Sequence, residues 1–184
     1  MTTIFDAAMR NFRAAADILE ALQATRLDLV NEARAGLTGR PRLGLAGGYN
    51  NVTASFGACL PTNARAEVLT TGDNAGIELR TSGAEWMTLE GTLPSNVPAE
   101  RVYLEMQVSC DQPVVVDIFV REILDDGSVK DAGHRECQLT MDSITVCNLK
   151  MPEASEYAVD RRVIVHLRQP ASRMIFDRLA ITLT

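Results

Sequence analysis

The stretch "RVYLEMQVSC", Arg101–Cys110, alternates apolar and polar residues without a break. The apolar set that would share one face of an extended strand is Val102, Leu104, Met106, Val108 and Cys110. A period of two is typical of a strand with one side buried and the other facing solvent. The stretch therefore predicts an antiparallel sheet that packs one face on a core.

The same alternation continues on both sides of this stretch. Three long runs show it, namely "PVVVDIFVREIL" (113–124), "RVIVHLRQ" (162–169) and "RMIFDRLAITLT" (173–184). Shorter strands are predicted over 67–71, 77–81, 85–93, 136–141 and 144–149. About eight or nine strands with no helix between them predict a mostly β fold, an antiparallel two-sheet jelly-roll-like sandwich.

One long N-terminal α-helix is predicted before the sandwich, over Phe5–Gly36. Its apolar side chains recur at helical spacing, which predicts an oligomerisation stripe of Phe5, Met9, Phe12, Leu19 and Leu22. At about 1.5 Å per residue the helix would be roughly 45 Å long, longer than a small sandwich needs to cover one face. We therefore expect residues 1–36 to oligomerise or anchor the protein. The alternative is a helix that lies along its own sheet.

Residues 37–65 are rich in glycine and predict a connector arm, with the sandwich domain over 66–184. Glycines such as those in "AGGYNN" hold phosphate in nucleotide-binding loops, but such a loop leads from a strand into a helix and is followed by Lys and Ser/Thr. Here an alternating, strand-like run follows instead. The sequence thus favours an extended or flexible arm with tight turns.

Charge and hydropathy exclude several classes of partner. The net charge is -6 and the pI is about 5.0, which argues against nucleic acid or an anionic membrane as partner. No run approaches the roughly 18 apolar residues of a membrane span. The N-terminus does not resemble a signal peptide, so we expect synthesis in the cytoplasm with the four cysteines reduced.

A metal site would need to gather His134, Cys137, Cys147 and His166. Cys137 and Cys147 would face each other across the turn at Asp142, but ligands three apart on a strand point to opposite faces. The sequence also lacks a nucleophile elbow. We therefore expect no metal, no cofactor and no enzymatic activity. Paired carboxylates stay open as an alternative, with Glu105, Asp117 and Glu122 at outward or edge positions.

Two polar loops are the candidate binding sites of the sandwich, since rigid sheets often present contacts through their loops. Their residues are Asp73 and Asn74 in the first loop, and Asp125, Asp126, Lys130, Asp131 and His134 in "DDGSVKDAGHR". The aspartates of the second loop leave calcium open as a ligand, although "DDGS" is already explained as a hairpin turn.

Sugar-binding sandwiches use exposed aromatic rings as platforms, and aromatic residues are scarce here at 5%. Trp86 is as compatible with the core as with a platform. Tyr103, Phe119 and Tyr157 are the better candidates for exposed rings.

The runs "EWMTLEGTLP", "RVYLEMQVSC" and "RMIFDRLAITLT" resemble the jelly-roll sandwiches of carbohydrate-binding modules over residues 66–184. The resemblance is one of strands and turns, so it implies a fold and assigns no sugar-contacting residue. The whole layout, a helix followed by an arm and a sandwich, resembles accessory decoration or spike proteins of tailed bacteriophage and gene transfer agent particles.

Taken with the helix, this layout predicts a non-catalytic structural protein. We expect a virion accessory, in the phage head or spike, that associates with itself and with a capsid or other shell protein. The alternative is a soluble glycan-binding module of a bacterial surface-polysaccharide system. The sequence leaves open whether the protein is viral or cellular, the oligomer number and the identity of any glycan.

Overall fold

The computed structural model describes residues 3–72, 76–94, 97 and 99–184. Within them the chain forms two helices and thirteen strands, arranged as two antiparallel sheets packed face to face. The predicted fold class, a mostly β two-sheet sandwich after an N-terminal helix, is confirmed. In chain order the elements are α1 (Ile4–Ala24), β1 (Arg26–Asp28), α2 (Leu29–Gly36), β2 (Arg42–Leu45), β3 (Gly48–Asn51), β4 (Phe56–Leu60), β5 (Arg65–Thr70), β6 (Ile77–Ser82), β7 (Trp86–Thr92), β8 (Arg101–Cys110), β9 (Val114–Leu124), β10 (Val129–Leu139), β11 (Ser143–Lys150), β12 (Ala158–Arg168) and β13 (Arg173–Leu183).

The two sheets have different strand orders. The seven-stranded sheet runs β11-β8-β13-β6-β5-β2, and β1 pairs with β13 beside this path. The six-stranded sheet runs β10-β9-β12-β7-β4-β3. The core lies between them, where alternate residues of each strand point inward, as Leu104 of β8 and Ile118 of β9 do with no exposed surface.

The predicted single helix over Phe5–Gly36 is wrong, because the helix breaks at Thr25. The Thr25 hydroxyl donates to the Leu183 carbonyl at 2.8 Å, and Arg26 in β1 donates two hydrogen bonds to Glu105 at 2.8 and 3.1 Å. Asp28 then accepts from the Asn31 amide and caps α2. These hydrogen bonds with the sandwich replace those that a continuous helix would make across residues 25–28.

The two helical pieces differ in how much they bury. Helix α2 buries Leu29, Val30 and Ala33 in the core. A Cβ at Gly91 of β7 would collide with Ile181 and touch Leu29, so this glycine allows α2 and β13 to pack closely on the facing sheet. Helix α1 buries no residue. Neither helix in the described part of the chain is long and apolar enough to cross a membrane.

The predicted connector arm over residues 37–65 is also wrong, because this segment contributes strands to both sheets. β2 pairs with β5 in the seven-stranded sheet, and β3 and β4 extend the six-stranded sheet from β7. The glycines serve close packing here: a Cβ at Gly57 would overlap the ring of Tyr49 on the neighbouring strand. The sandwich therefore begins before residue 66.

Candidate binding face of the six-stranded sheet

The outer face of the six-stranded sheet carries ordered polar and aromatic side chains. We call this surface the polar face, and its members are Tyr49, Trp86, Thr88, Glu90, Asp117, Phe119, Arg121, Asp131, Arg162, His166 and Arg168. Strand register brings them together: β12 places His166 opposite Thr88, and Arg168 opposite Trp86, while Asp117 of β9 lies on the other side of His166. Alternation along each strand keeps them on the side away from the core.

Glu90 is the centre of the polar face, and only 5% of its surface is exposed although it points outward. The Thr88 hydroxyl donates to one carboxylate oxygen at 2.7 Å, and Arg162 Nη1 donates to the other at 3.0 Å. Arg162 also donates to Asp160 at 2.7 Å. Burial alone would lower the pKa of the Arg162 guanidinium, but these two carboxylates raise it, so the group stays charged.

Tyr49 reaches from the edge strand β3 across the space above Gly57 toward this centre. The Arg162 guanidinium lies 4.5 Å from the centroid of its ring, a cation–π contact that holds the ring in place. The side chain is nevertheless 42% exposed. Tyr49 therefore presents ring surface to solvent beside the hydrogen-bonding groups of Glu90 and Arg162.

Arg121 and Asp131 form a second paired group, toward the β10 edge. Arg121 donates two hydrogen bonds to the Asp131 carboxylate, both at 2.8 Å. This bidentate contact raises the pKa of Arg121. Phe119 lies below, 5% exposed, with the His134 ring stacked on it at 4.7 Å and Arg121 5.3 Å from its centroid.

Trp86 and His166 lie at the other end of the polar face, with ring centroids 6.1 Å apart in an edge-to-face arrangement. Arg168 binds Asp117 through two hydrogen bonds of 2.6 and 2.7 Å. Burial lowers the pKa of His166, and its Nε2 has no hydrogen-bond partner among the described residues. A neutral imidazole therefore fits this position.

The chemistry of the polar face is that of recognition. Its carboxylates Glu90, Asp117 and Asp131 are each paired with an arginine, and these ion pairs fix the positions of their oxygens. The face is thus suited to hydrogen bonding and ring stacking.

The predicted binding loops are only partly loops. Asp125 and Asp126 lie in the β9–β10 turn, where Asp126 accepts from the Ser128 amide at 2.8 Å. Lys130, Asp131 and His134 lie inside β10, so their placement in a loop is wrong; the long β10–β9 ladder extends the strand past the polar residues. Asp73 and Asn74 fall outside the described residues. A binding role for any of these residues stays a prediction.

The residues that sequence analysis weighed for a metal separate in space. His166 belongs to the polar face and His134 stacks on Phe119 at its edge, whereas Cys137 and Cys147 point inward from the edge strands β10 and β11. The two thiols share a hydrogen bond that raises the pKa of Cys137 and lowers the pKa of Cys147. Within the described ranges no three His, Cys, Asp or Glu side chains come close enough to hold a metal ion.

The candidate carboxylates also separate. Glu105 pairs with Arg26 on the outer side of the seven-stranded sheet, and Glu122 is buried with its oxygen 3.1 Å from Arg161 at one end of the core. Asp117 alone belongs to the polar face. The three therefore do not form a catalytic pair.

The aromatic candidates divide between different surfaces. Trp86 belongs to the polar face and is half-buried, while Phe119 points outward beneath His134. Tyr103 lies on the outer side of the seven-stranded sheet, and Tyr157 is an exposed residue between β11 and β12. Sequence analysis missed Tyr49, because its segment was assigned to the arm.

Thr88, Glu90, Arg121 and Arg162 were also missed, and the signal for them was present in the sequence. Each sits at an outward position of a strand that alternates, where solvent-facing charge is the ordinary expectation. That Glu90 would be buried against Arg162 depends on strand register, which the sequence does not show.

Helix α1 forms a second, apolar surface with the outer side of the seven-stranded sheet. Of the residues predicted to mediate oligomerisation, Phe5, Met9, Phe12 and Leu19 are exposed on it and Leu22 is half-buried; their role stays a prediction. A groove of about 750 Å³ separates the end of α1 from the sheet. We call it the helix groove, and its lining is Leu19, Leu22, Gln23, Arg26, Tyr103, Glu105, Val146, Thr182 and Thr184.

The sequence matches no protein-family model and no curated protein. Solved structures resemble the fold. The tandem pair of family 22 carbohydrate-binding modules of Paenibacillus barcinonensis Xyn10C matches at a TM-score of 0.51 with 13% identity, over 86% of this chain and 44% of that one. An arabinose-bound α-L-arabinofuranosidase, MgGH51, matches at 0.50 with 12% identity, over 71% and 23%.

A third structure, of carbohydrate-binding modules from the β-sandwich superfamily, matches at 0.48 with 15% identity, over 73% of this chain and 57% of that one. This chain spans less than two thirds of each of these three structures. At such identities the likeness concerns the fold alone.

Proposed function

We propose that this protein is a non-catalytic glycan-binding sandwich and that the polar face holds the sugar. One observation carries the proposal: two partly exposed aromatic rings, Tyr49 and Trp86, lie on the same sheet face as a fixed set of hydrogen-bonding groups centred on Glu90 and Arg162. The resemblance of the fold to carbohydrate-binding modules supports the proposal, but it does not identify the binding site.

The chemistry of sugars matches this arrangement. A pyranose ring has apolar C–H faces that stack on an aromatic ring, and a rim of hydroxyls that both donate and accept hydrogen bonds. Glu90 offers acceptors, Arg162 offers charged donors, and their mutual contacts hold both in place before a ligand arrives. Such preorganisation lowers the entropy cost of binding.

The direct test is a glycan array followed by calorimetry with the best ligand. Tyr49→Ala and Trp86→Ala should each weaken binding about tenfold, because a lost stacking contact costs about 1 kcal/mol or slightly more. Tyr157→Ala is the matched control, since Tyr157 is an exposed tyrosine (56%) outside the polar face, and it should leave affinity unchanged.

Two results would contradict the proposal. One is the absence of binding to any glycan. The other is binding that survives both aromatic substitutions and disappears with Asp125→Ala or Asp126→Ala, which would place the site in the β9–β10 turn.

As a second candidate we propose the assembly role that the sequence layout predicts, in which α1 attaches the sandwich to a particle. The observation that favours it is the uncovered apolar stripe of α1. The solved structures reported above lend no support to a virion location. Cosedimentation of the protein with purified capsids or shells, lost on Phe12→Asp, would establish this candidate; free protein in the supernatant would reject it.

A further inference from the structure

Helix α1 exposes a row of large apolar side chains to solvent. Phe5, Phe12 and Leu19 are 78%, 73% and 66% exposed, and only the last turns of α1 approach the sandwich. Contiguous apolar surface of this kind marks an interaction site. We propose that a second copy of this chain covers it, with the two α1 helices antiparallel and the N-terminal half of each seated over the helix groove of its partner. This inference does not depend on glycan binding.

The distribution of large and small side chains selects the antiparallel orientation. In heptad terms, Phe5, Phe12 and Leu19 occupy one seam position, and Ala8, Ala15 and Leu22 occupy the other. A parallel pair would stack phenylalanine on phenylalanine and alanine on alanine, which alternates crowded and empty layers. An antiparallel pair opposes the two seams, so Phe12 meets Ala15 and Leu19 meets Ala8. Large against small gives even packing.

The charges of α1 favour the same orientation. Its first half carries Asp6, Arg10 and Arg13, and its second half carries Asp17 and Glu20. The first half is therefore net positive and the second net negative. Antiparallel helices bring these opposite halves together and also align their dipoles favourably.

The area available is enough for a stable dimer. The four phenylalanines of two α1 helices would remove about 600 Å² from water, given 150–250 Å² per buried aromatic ring. Ile4, Met9, Ile18 and Leu19 are also more than half exposed. With them the total passes the roughly 1,200 Å² at which specific interfaces begin.

The helix groove continues this surface onto the sandwich. Leu22 of α1 and Val146 of β11 face it, and Val146 is 64% exposed. In the antiparallel register Phe5 of the partner lies in the layer of Leu22, which brings its ring to the groove. The interface therefore includes the sheet as well as the helix.

A membrane surface fits α1 less well. Interfacial helices are rich in Lys and Arg on the polar side, whereas the polar side of α1 carries two arginines and three acidic residues. The experiments below therefore distinguish the antiparallel dimer from binding of α1 to a lipid surface.

Sedimentation equilibrium of the full chain measures the prediction directly. The wild-type protein should show twice the chain mass of 20.1 kDa, and Phe12→Asp with Leu19→Asp should show one chain mass. Val159→Asp is the matched control, because it places the same charge at a valine that is 67% exposed on β12, a strand of the six-stranded sheet, whereas α1 meets the seven-stranded sheet. It should remain dimeric. Circular dichroism of each variant confirms that the sandwich is folded.

Two further variants test orientation and groove. Oxidising a mixture of Ala8→Cys and Leu19→Cys proteins should give mainly dimers linked between positions 8 and 19 of different chains, identified by mass spectrometry. Val146→Asp should weaken the dimer at least tenfold. A monomeric wild type, links of 8 to 8 and 19 to 19, an unaffected Val146→Asp dimer, or cosedimentation with phosphatidylcholine–phosphatidylserine vesicles would each overturn the proposal.

Discussion

The two outer faces of the sandwich are built on the same alternation, and both carry carboxylates paired with arginines, but they differ in the apolar side chains that they expose. On the six-stranded sheet the outward carboxylates Glu90, Asp117 and Asp131 are tied to arginines beside aromatic rings. On the seven-stranded sheet, β11 exposes Ile144 and Val146 to solvent, and Val146 lines the helix groove at the end of α1. This difference is the basis of the two proposals made above, in which one face binds a polar ligand and the other associates with a second chain.

Two glutamates, one on each outer face, can be compared directly. Glu90 and Glu78 both point outward, and both are nearly buried, at 5% and 7% exposure. The arginine that binds Glu90 is itself covered, with 16% of its side chain exposed, whereas Arg80 and Arg173 beside Glu78 are 54% and 58% exposed. Removing Glu90 therefore leaves a covered guanidinium that keeps only Asp160 as a partner, whereas the arginines beside Glu78 reach solvent.

The largest expected effect follows from this pair. Glu90→Ala should lower the free energy of unfolding by about 2–3 kcal/mol, because Arg162 is largely desolvated and keeps only Asp160 as a charged partner. Glu78→Ala is the matched control and should cost about 1 kcal/mol, since its arginines can turn to water. Urea denaturation measures both. Equal losses would mean that the two faces do not differ in this way.

A smaller loss of stability is expected from substitutions in β10 and β11, the edge strands of the two sheets. Cys137 and Cys147 are partly buried against the core and share a hydrogen bond. Cys137→Ser and Cys147→Ala should each cost about 1–2 kcal/mol, as small core changes do. Ligand binding should be unchanged, because both thiols point away from the polar face. Stoichiometric zinc in protein purified without added metal, released by either substitution, would show instead that the pair binds metal.

The smallest effect is a pH dependence on the polar face. Burial lowers the pKa of His166 in the folded protein, so the unfolded chain takes up the proton first as pH falls. Folding stability should then decrease as pH drops below about 6.5, by less than about 1 kcal/mol. His166→Gln should remove this decrease between pH 7 and 5. The same slope in wild type and variant, measured by urea denaturation at each pH, would contradict it.

The sandwich was predictable because it depends on a local signal. Alternation in "RVYLEMQVSC" and the runs like it follows from which side of a strand is buried, and the ten residues of β8 show it without exception. The bounds of the helix were not predictable in the same way. The break at Thr25 is set by hydrogen bonds to Leu183 and Glu105, which are distant in the sequence.

The candidate site was hidden for the same reason. Tyr49 lies in a glycine-rich segment whose composition is typical of a flexible arm. Its ring is positioned on the polar face by contacts with Gly57 and Arg162, which the sequence does not show. The sequence did not decide whether Trp86 belongs to the core or forms an exposed platform, because a single tryptophan on a short strand does not show which residues lie beside it. The exposed stripe of Phe5 and Phe12 needed only helical spacing, so it was found from sequence.

The most direct test of a division between the faces is a titration of isotopically labelled protein with the best glycan, followed by amide chemical shifts. We predict shifts at Tyr49, Trp86, Glu90 and Arg162, with α1 and β11 unaffected and the native mass unchanged by ligand. Shifts concentrated on α1, β11 and the helix groove, with the polar face unmoved, would contradict the account.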